Sequence, residues 1–359
     1  MRVLIISIFI FCSLTLEAND KADETTFLEA YKSYENAVAS GNLEEARKYA
    51  NNTLRLSRSA FGNIHKNTAQ AALNLAELSS TNRQQKTLYK FALSTSEQLY
   101  GKNSIKLLDP IIGLAQAIAK SGEKTPAITL LKRAEKISAK SLDRNSLSYA
   151  DVNMRIGQIY LTYVTSRKGK KHFAQAKKVF QKLSNDDGQL GAAQADFWIG
   201  KQYLAEKNNI KATKSLLASL KVFEVLDPGS PITMSNHAFL IQAYEERGKR
   251  DEATKHCQAI GAMRPLAPNQ DYLPVYYTRP NYPRNANVAG IEGFAIVSLT
   301  IDKEGFVANT KVVANSGTNV FDKAAIAAAK KFRYAPRHVD GTPVATNNVR
   351  YKFNFKLTN

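Results

Sequence analysis

The chain has 359 residues, of which 44% are hydrophobic and 23% charged, as expected of a folded protein with two or three domains. Basic residues outnumber acidic ones by 50 to 31, but they are spread along the chain without an RNA-binding or zinc-finger motif. We therefore exclude nucleic acid as the partner and expect the charge to favour anionic lipid headgroups or acidic envelope polymers.

The N-terminus carries one apolar stretch, residues 3–16, between Arg2 and a polar segment. A helix of this length spans roughly 21 Å at about 1.5 Å per residue, short of the roughly 30 Å hydrocarbon core of a bilayer. The stretch predicts a secretory signal peptide over residues 1–18, with an uncleaved signal anchor as the alternative. Once the signal is removed, Cys257 is the only remaining cysteine, and we expect it to be a partly buried structural residue.

Residues 19–263 contain a repeated helical pattern. Short turn-like segments recur at spacings of 39, 42, 41 and 43 residues, and similar helix cores such as Leu75-Ala76 and Leu114-Ala115 follow them. A period near 40 predicts an α-solenoid of stacked helical hairpins, because a single hairpin cannot bury its apolar face alone. The turn-like segments begin at Phe61, Tyr100, Leu142, Leu183 and Leu226.

The repeat resembles the tetratricopeptide (TPR) superfamily, and the segment at residues 40–46 is typical of the turn between two helices in that superfamily. That resemblance implies a concave groove that binds protein segments. Several aromatic residues either line this groove or pack between repeats, and the sequence leaves both alternatives open. The basic run at residues 167–171 is expected to be an exposed loop. The aromatic residues are Tyr149, Tyr160, Tyr163, Trp198, Tyr203 and Tyr244.

A proline-containing linker is predicted over residues 264–280, and a small β-β-α-β domain over residues 281–359. Two β-rich runs around a turn at residues 302–305 predict a hairpin. Phe321, Ala325, Ala328 and Phe332 then recur at helical spacing. The tail from Val349 to Leu357 alternates apolar and polar residues, which is typical of a half-buried strand. An antiparallel sheet with this connectivity has the order 2-1-3, so the last strand is an edge.

No motif for catalysis is present. The five histidines are scattered, and neither a zinc-binding histidine pair, a nucleophile elbow nor a phosphate-binding glycine loop occurs. The sequence therefore predicts a protein that is not an enzyme, with no catalytic residue, no metal site and no cofactor.

An ordered set of short motifs in the last eighty residues resembles the TonB C-terminal domain. The motifs are Tyr282-Pro283, residues 290–293, Asp302 with Gly305, Phe321-Asp322, residues 331–336 and residues 340–344. The resemblance implies a periplasmic protein of Gram-negative bacteria that adds the TonB box of an outer-membrane receptor to its last strand. The implied partner-binding residues are Tyr282, Pro283, Val349, Arg350, Tyr351, Lys352, Phe353, Asn354 and Phe355.

Three alternatives accompany this interpretation. Arg350, Lys352 and Lys356 on the last strand either serve docking or protect the edge from aggregation. The chain is either a periplasmic adaptor, with the TPR-like groove binding a second envelope protein, or an anchored transducer contacting inner-membrane motor components. Energy transducers of this family usually carry a histidine in their membrane helix, and residues 3–16 contain none. An envelope scaffold unrelated to receptors is the third alternative.

Overall fold

The structure is a computed structural model that describes residues 18–263 and 272–357. The apolar stretch of the predicted signal peptide and the first half of the predicted linker lie outside the described residues. The chain divides into two compact units, of which one ends at Trp198 and the other begins at Ile199.

The first unit consists of helices arranged as successive hairpins. A 3-10 turn, Ile105–Leu107, precedes the fifth helix, and a π-helical segment, Tyr160–Val164, follows the seventh. Each helix from the first to the eighth packs against the next, and α3 and α7 also contact α5, so the odd-numbered helices form one layer and the even-numbered ones another. The helices are α1 Ala18–Ala39, α2 Leu43–Phe61, α3 Lys66–Leu78, α4 Asn82–Tyr100, α5 Leu108–Lys120, α6 Lys124–Ser141, α7 Leu147–Ile159, α8 Ser166–Phe180 and the start of α9 Asp186–Ala205.

Capping side chains and turn glycines define where the helices of these hairpins begin and end. Polar side chains such as Asn42, Thr81 and Ser146 accept a hydrogen bond from the first turn of α2, α4 and α7, respectively. The turns inside hairpins place glycine at positive φ, as at Gly41 and Gly122. The predicted helix cores, including Leu75-Ala76 and Leu114-Ala115, are buried, so the hairpin prediction is confirmed.

The basic run at residues 167–171 is not a loop but the start of α8. Buried residues recur through that helix at helical spacing, from Gly169 through Phe173 and Ala176 to Val179. This apolar period extends back into the basic run, so burial of one helix face outweighs the local charge.

Most of the aromatic residues considered for a groove are packing residues. Tyr149, Tyr160 and Tyr244 are at most 9% exposed, and the Tyr160 ring stacks on His172 at 5.7 Å. Trp198 is half-buried and stacks on Phe173 at 6.0 Å. Tyr163 and Tyr203 are also half-buried.

The second unit combines helices with an antiparallel sheet. Its three-stranded sheet has the order β2-β1-β5, which confirms the predicted 2-1-3 order. Its helices after the end of α9 are α10 Asn209–Leu226, α11 Pro231–Glu245, α12 Arg250–Met263, α13 Arg284–Val288 and α14 Asp322–Ala329. Its strands are β1 Gly293–Ile301, β2 Val307–Asn315, β3 Arg337–Val339, β4 Thr342–Val344 and β5 Thr346–Phe355.

The small hairpin β3–β4 and the short helix α13 are additions to the predicted β-β-α-β pattern. Asp340 and Gly341 connect β3 to β4 with φ angles of 49° and 75°, the left-handed geometry that tight hairpin turns require. Helix α14 covers the buried face of the sheet, and Phe321, Ala325, Ala328 and Phe332 are all at most 4% exposed, as predicted. Within the two described ranges, no helix combines the length and apolar composition needed to cross a membrane.

Candidate strand-docking edge

Strand β5 forms a regular edge of the three-stranded sheet. It pairs with β1 from Gly293↔Phe355 to Leu299↔Val349 without a register shift. The irregularity comes before this segment, where Asn348 adopts a φ of 60°. Because β5 pairs only with β1 in the sheet, the backbone groups of alternate residues between Val349 and Phe355 point away from it and are available for another strand.

The opposite edge, β2, is interrupted. Its register with β1 shifts twice, and in each case the extra residue lies on β2. Val313 is skipped in the first bulge, and Asn309, with a φ of 50°, lies in the second. Bulges twist a strand and break the ladder that an added strand would extend. Of the two edges, β5 is therefore the better template.

The two faces of β5 differ as the alternating sequence predicts. Val349, Phe353 and Phe355 are buried and Tyr351 is half-buried, whereas Arg350 and Asn354 are exposed. Lys352 on the polar face lies over the Phe294 ring of β1, 4.3 Å from its centroid. The lysine is thus held against the sheet by a cation–π contact, as well as adding charge to the edge.

Tyr282 and Pro283 lie at the end of β5. The Tyr282 ring contacts Phe355 edge-on at 5.7 Å, and its hydroxyl donates to the Ile291 carbonyl at 2.7 Å. Pro283 precedes α13, and its carbonyl accepts from Asn287 N at 2.9 Å. The structure therefore brings Tyr282 together with the predicted docking strand.

Two further tyrosines, Tyr272 and Tyr277, precede Tyr282 along the chain, and the sequence did not identify them as part of this site. Tyr272, Tyr277 and Tyr282 recur every five residues along an extended segment. Tyr277 lies 6.3 Å from the Phe332 ring and is 59% exposed, while Phe332 also contacts Tyr351 at 5.1 Å. Burial, and secondarily Tyr277, raise the pKa of Tyr351. The five-residue spacing was the available signal, but it lies largely within the range interpreted as a linker.

This extended segment is held in place by hydrogen bonds to residues that follow α14. Tyr276 exchanges backbone hydrogen bonds with Arg333, and the Tyr272 hydroxyl donates to the Ala335 carbonyl at 2.7 Å. Within the predicted linker, Tyr272, Tyr276 and Tyr277 therefore contact the sheet domain.

The Arg333 side chain joins the sheet domain to the last helical hairpin. It is fully buried, and its Nη1 donates to Glu245 Oε1 of α11 at 2.5 Å. Its Nη2 donates to Thr254 Oγ1 of α12 at 2.7 Å, and the guanidinium lies over the Phe306 ring, 3.7 Å from the centroid. The buried charge is thus compensated by an ion pair, a hydroxyl and an aromatic face, while Nε has no hydrogen-bond partner among the described residues.

The cysteine of this unit is buried, and two of its histidines pair with each other. Cys257 is fully buried, and burial raises its pKa to about 12, so the neutral thiol packs in the core. His237 and His256 form a hydrogen bond between their Nδ1 atoms at 2.9 Å. In the part of the chain that the structure describes, no three acidic, histidine or cysteine side chains are grouped to hold a metal ion.

Comparison with known proteins identifies relatives of the C-terminal region. Residues 278–357 match the family model of the Gram-negative bacterial TonB protein C-terminal. The TonB protein of Vibrio cholerae is 31% identical over 26% of this chain and 38% of its own length. The C-terminal region is therefore homologous to that of TonB proteins. The chain spans about a third of the length of the curated relatives it matches.

Two solved structures are also similar to parts of the chain. The TonB2 protein of Vibrio anguillarum is 32% identical, covering 27% of this chain and 91% of that one, with a TM-score of 0.21. The TPR-like repeats of a kinesin light chain from Podosopora anserina are 17% identical, covering 54% of this chain and 93% of that one, with a TM-score of 0.48.

Proposed function

We propose that this chain is a periplasmic protein-binding adaptor of the TonB system. Its sheet domain captures the TonB box of an outer-membrane receptor by strand addition to β5. The regular β5 edge carries the proposal, because it presents an uninterrupted ladder from Val349 to Phe355 while β2 is bulged. The C-terminal homology to TonB proteins supports this class of partner.

The residues of the edge have distinct roles in this proposal. Backbone groups of β5 supply the hydrogen bonds that give affinity, and side chains on the two faces select the sequence of the added strand. Tyr277 and Tyr282 flank the side of β5 that carries Tyr351 and Phe355, and Tyr277 offers exposed aromatic surface. Arg350, Lys352 and Asn354 lie on the other face and contact polar groups of the partner.

The helical hairpins recruit a second envelope protein in this proposal, as the TPR resemblance implies. The location is tested by the mass of the protein isolated from cells. A periplasmic chain that begins at Asn19 supports the adaptor, whereas a full-length chain retained in the inner membrane supports the anchored transducer.

The docking proposal is tested with residues 19–359 and fluorescent TonB-box peptides, with binding followed by anisotropy. Proline is placed singly at Tyr351 and Lys352, because consecutive strand residues direct their N–H groups to opposite sides. The position that faces the free edge should lose peptide binding while circular dichroism stays unchanged. Val313→Pro, at a bulge of the other edge, is the matched control and should bind normally.

Tyr277→Ala tests the flanking tyrosines in the same assay. Because this side chain is 59% exposed, we expect a folded protein with roughly tenfold weaker peptide binding, about 1.4 kcal/mol. Val313→Ala, which removes a side chain that is 42% exposed on β2, should leave binding unchanged. A folded protein that ignores a panel of TonB-box peptides would replace the receptor proposal with that of a scaffold.

A further inference from the structure

The first unit separates charge between its two helix layers. The even-numbered helices α2, α4, α6 and α8 contain 18 basic and 4 acidic residues, whereas α3, α5 and α7 contain three of each. The even-numbered layer therefore carries a net charge of +14 and the inner helices of the other layer carry none. The chain's excess of basic residues is thus concentrated on one layer of this unit.

Within α6 and α8 the basic residues form exposed stripes. Lys132, Lys136 and Lys140 are spaced by four residues along α6, and Arg167, Lys171 and Lys178 share one face of α8. Each of these basic residues is two positions along the chain from a buried residue, which corresponds to a rotation of about 200° around the helix axis. Both stripes consequently point away from the odd-numbered layer.

The same arrangement continues on the two preceding even-numbered helices. Lys48 and Arg55 of α2, like Arg83 and Lys90 of α4, are exposed and spaced by seven residues. The acidic residues on these stripes lie near helix ends, with Glu44 in the first turn of α2 and Glu97, seven residues after Lys90, in the last turn of α4. The result is a face built from four helices, each about 22 to 28 Å long at 1.5 Å per residue, on which basic residues far outnumber acidic ones.

A merely solvated helix face usually mixes both signs, since neighbouring glutamate and lysine residues stabilise a helix. In the ion pairs Lys86–Glu123 and Arg133–Glu97 of this unit, by contrast, the basic partner lies beside the stripes and not on them. A face of one sign attracts a partner of the opposite sign.

We propose that this even-numbered helix face binds the surface of an anionic phospholipid bilayer. Small or polar residues, such as Asn51, Thr87 and Ala174, occupy the positions between the cations. The face therefore lacks the aromatic anchors that dominate protein interfaces. Flexible lysines match the diffuse charge of lipid headgroups, and each basic residue near such a surface strengthens binding about fivefold.

Binding of this kind is peripheral and depends on salt. With no large apolar side chain on the stripes, the face adsorbs to headgroups without entering the hydrocarbon region. Screening over about 10 Å at 0.1 M salt weakens the attraction as ionic strength rises. The proposal rests on the first unit alone and does not require strand addition by β5.

The test is co-sedimentation of residues 19–359 with vesicles. Vesicles of three parts phosphatidylethanolamine and one part phosphatidylglycerol should bind the protein at 50 mM salt and release it at 500 mM. Vesicles of phosphatidylcholine alone should not bind it. The triple variant Lys132→Glu, Lys136→Glu and Lys140→Glu should partition at least tenfold more weakly, with its helix content unchanged.

A second triple variant has the same net charge and serves as the control. Lys303→Glu, Lys323→Glu and Lys330→Glu alter exposed lysines of the sheet domain and should preserve vesicle binding. Equal losses in the two variants, or binding that ignores lipid charge, would overturn the proposal. Duplex DNA or polyphosphate that binds the protein tightly while the anionic vesicles do not would assign the face to a soluble polyanion instead.

Discussion

Among the described residues, Arg333 is the largest side chain that is fully buried, and it links the sheet domain to α11 and α12. Its guanidinium is fully buried, and Glu245, its ion-pair partner, has a side chain only 9% exposed. Removing one partner of such a pair leaves the other charge buried and uncompensated. We therefore expect Arg333→Met to lower the free energy of unfolding by about 3–5 kcal/mol, measured by urea denaturation.

Arg250→Met is the matched control, because Arg250 approaches the same carboxylate at 3.7 Å but its side chain is 51% exposed. It should cost less than about 1 kcal/mol. The double variant Arg333→Met and Glu245→Leu should recover part of the loss, since it removes both charges. Equal costs for Arg333→Met and Arg250→Met would contradict this role of the buried pair.

The histidine pair of α11 and α12 predicts a pH dependence. Burial, followed by His237 and Lys255, lowers the pKa of His256 to about 4. Burial also lowers the pKa of His237, which has Glu224 at 3.6 Å from its Nε2. Tyr244 stacks on His256, and Arg247 lies over that tyrosine ring. The folded protein therefore keeps His256 neutral at pH values where the unfolded chain binds a proton.

The contribution of neutral His256 to the free energy of unfolding is consequently fully present above about pH 6.5, and it is lost as the pH falls towards 4. Between pH 7 and pH 4.5 we expect it to contribute a loss of about 2 kcal/mol in the free energy of unfolding. His256→Gln should reduce the pH dependence of urea unfolding by that amount relative to the natural chain. An unchanged dependence in the variant would show that other groups are responsible.

At the scale of elements, the turn between β1 and β2 positions the sheet against the segment after α14. Asp302 Oδ1 accepts from the backbone N–H groups of Glu304 and Phe306, and Gly305 has a φ of 82°. A Cβ on Gly305 would lie 2.1 Å from the Tyr334 carbonyl oxygen. We therefore expect Gly305→Ala to cost about 3 kcal/mol in thermal or urea unfolding, from strain and displacement of backbone.

Gly341 in the β3–β4 turn provides the comparison. Its φ is 75°, but a Cβ there would meet no atom within 4 Å. Gly341→Ala should therefore cost only the backbone strain, about 1 kcal/mol. If both alanine variants were equally stable, the close approach of Gly305 to Tyr334 would not be a constraint on the fold.

Elements with a clear hydrophobic period were predictable from the sequence. Alternation along β5 indicated which side chains are buried, and the 40-residue period indicated hairpins, because both signals report burial directly. The start of α8 was not predictable from its five-residue basic run, since only the longer apolar period reveals the helix. The β3–β4 hairpin is too short to show alternation, although Asp340-Gly341 is a typical hairpin turn.

The candidate edge was predictable in outline and not in detail. Strand order follows from the connectivity of the elements, so the edge position of β5 could be predicted from the sequence alone. The bulges of β2 depend on backbone angles such as that of Asn309, which the sequence does not specify. Tyr277 was missed as part of the domain, and the ion pair of Arg333 with Glu245 was not foreseen, because both residues contact segments distant in sequence.

At the scale of the whole molecule, the second unit is more than the region homologous to TonB. Helix α12 packs closely enough that a Cβ on Gly261 would lie 2.3 Å from the Pro336 carbonyl oxygen. Arg333 adds an ion pair to α11. A fragment that begins after α12 would expose this surface and leave Arg333 unpaired. Binding experiments on the sheet domain therefore require the chain that contains these helices.

The central claim is strand addition at β5, and it is tested most directly by photo-crosslinking in the cells that make the protein. A photoreactive residue replaces Asn354, which is exposed on β5, or Val313, which is 42% exposed on β2. We predict that position 354 captures a TonB-dependent outer-membrane receptor through its TonB box and that position 313 does not. Capture of no receptor from position 354, or of the same receptor equally from both positions, would contradict the claim.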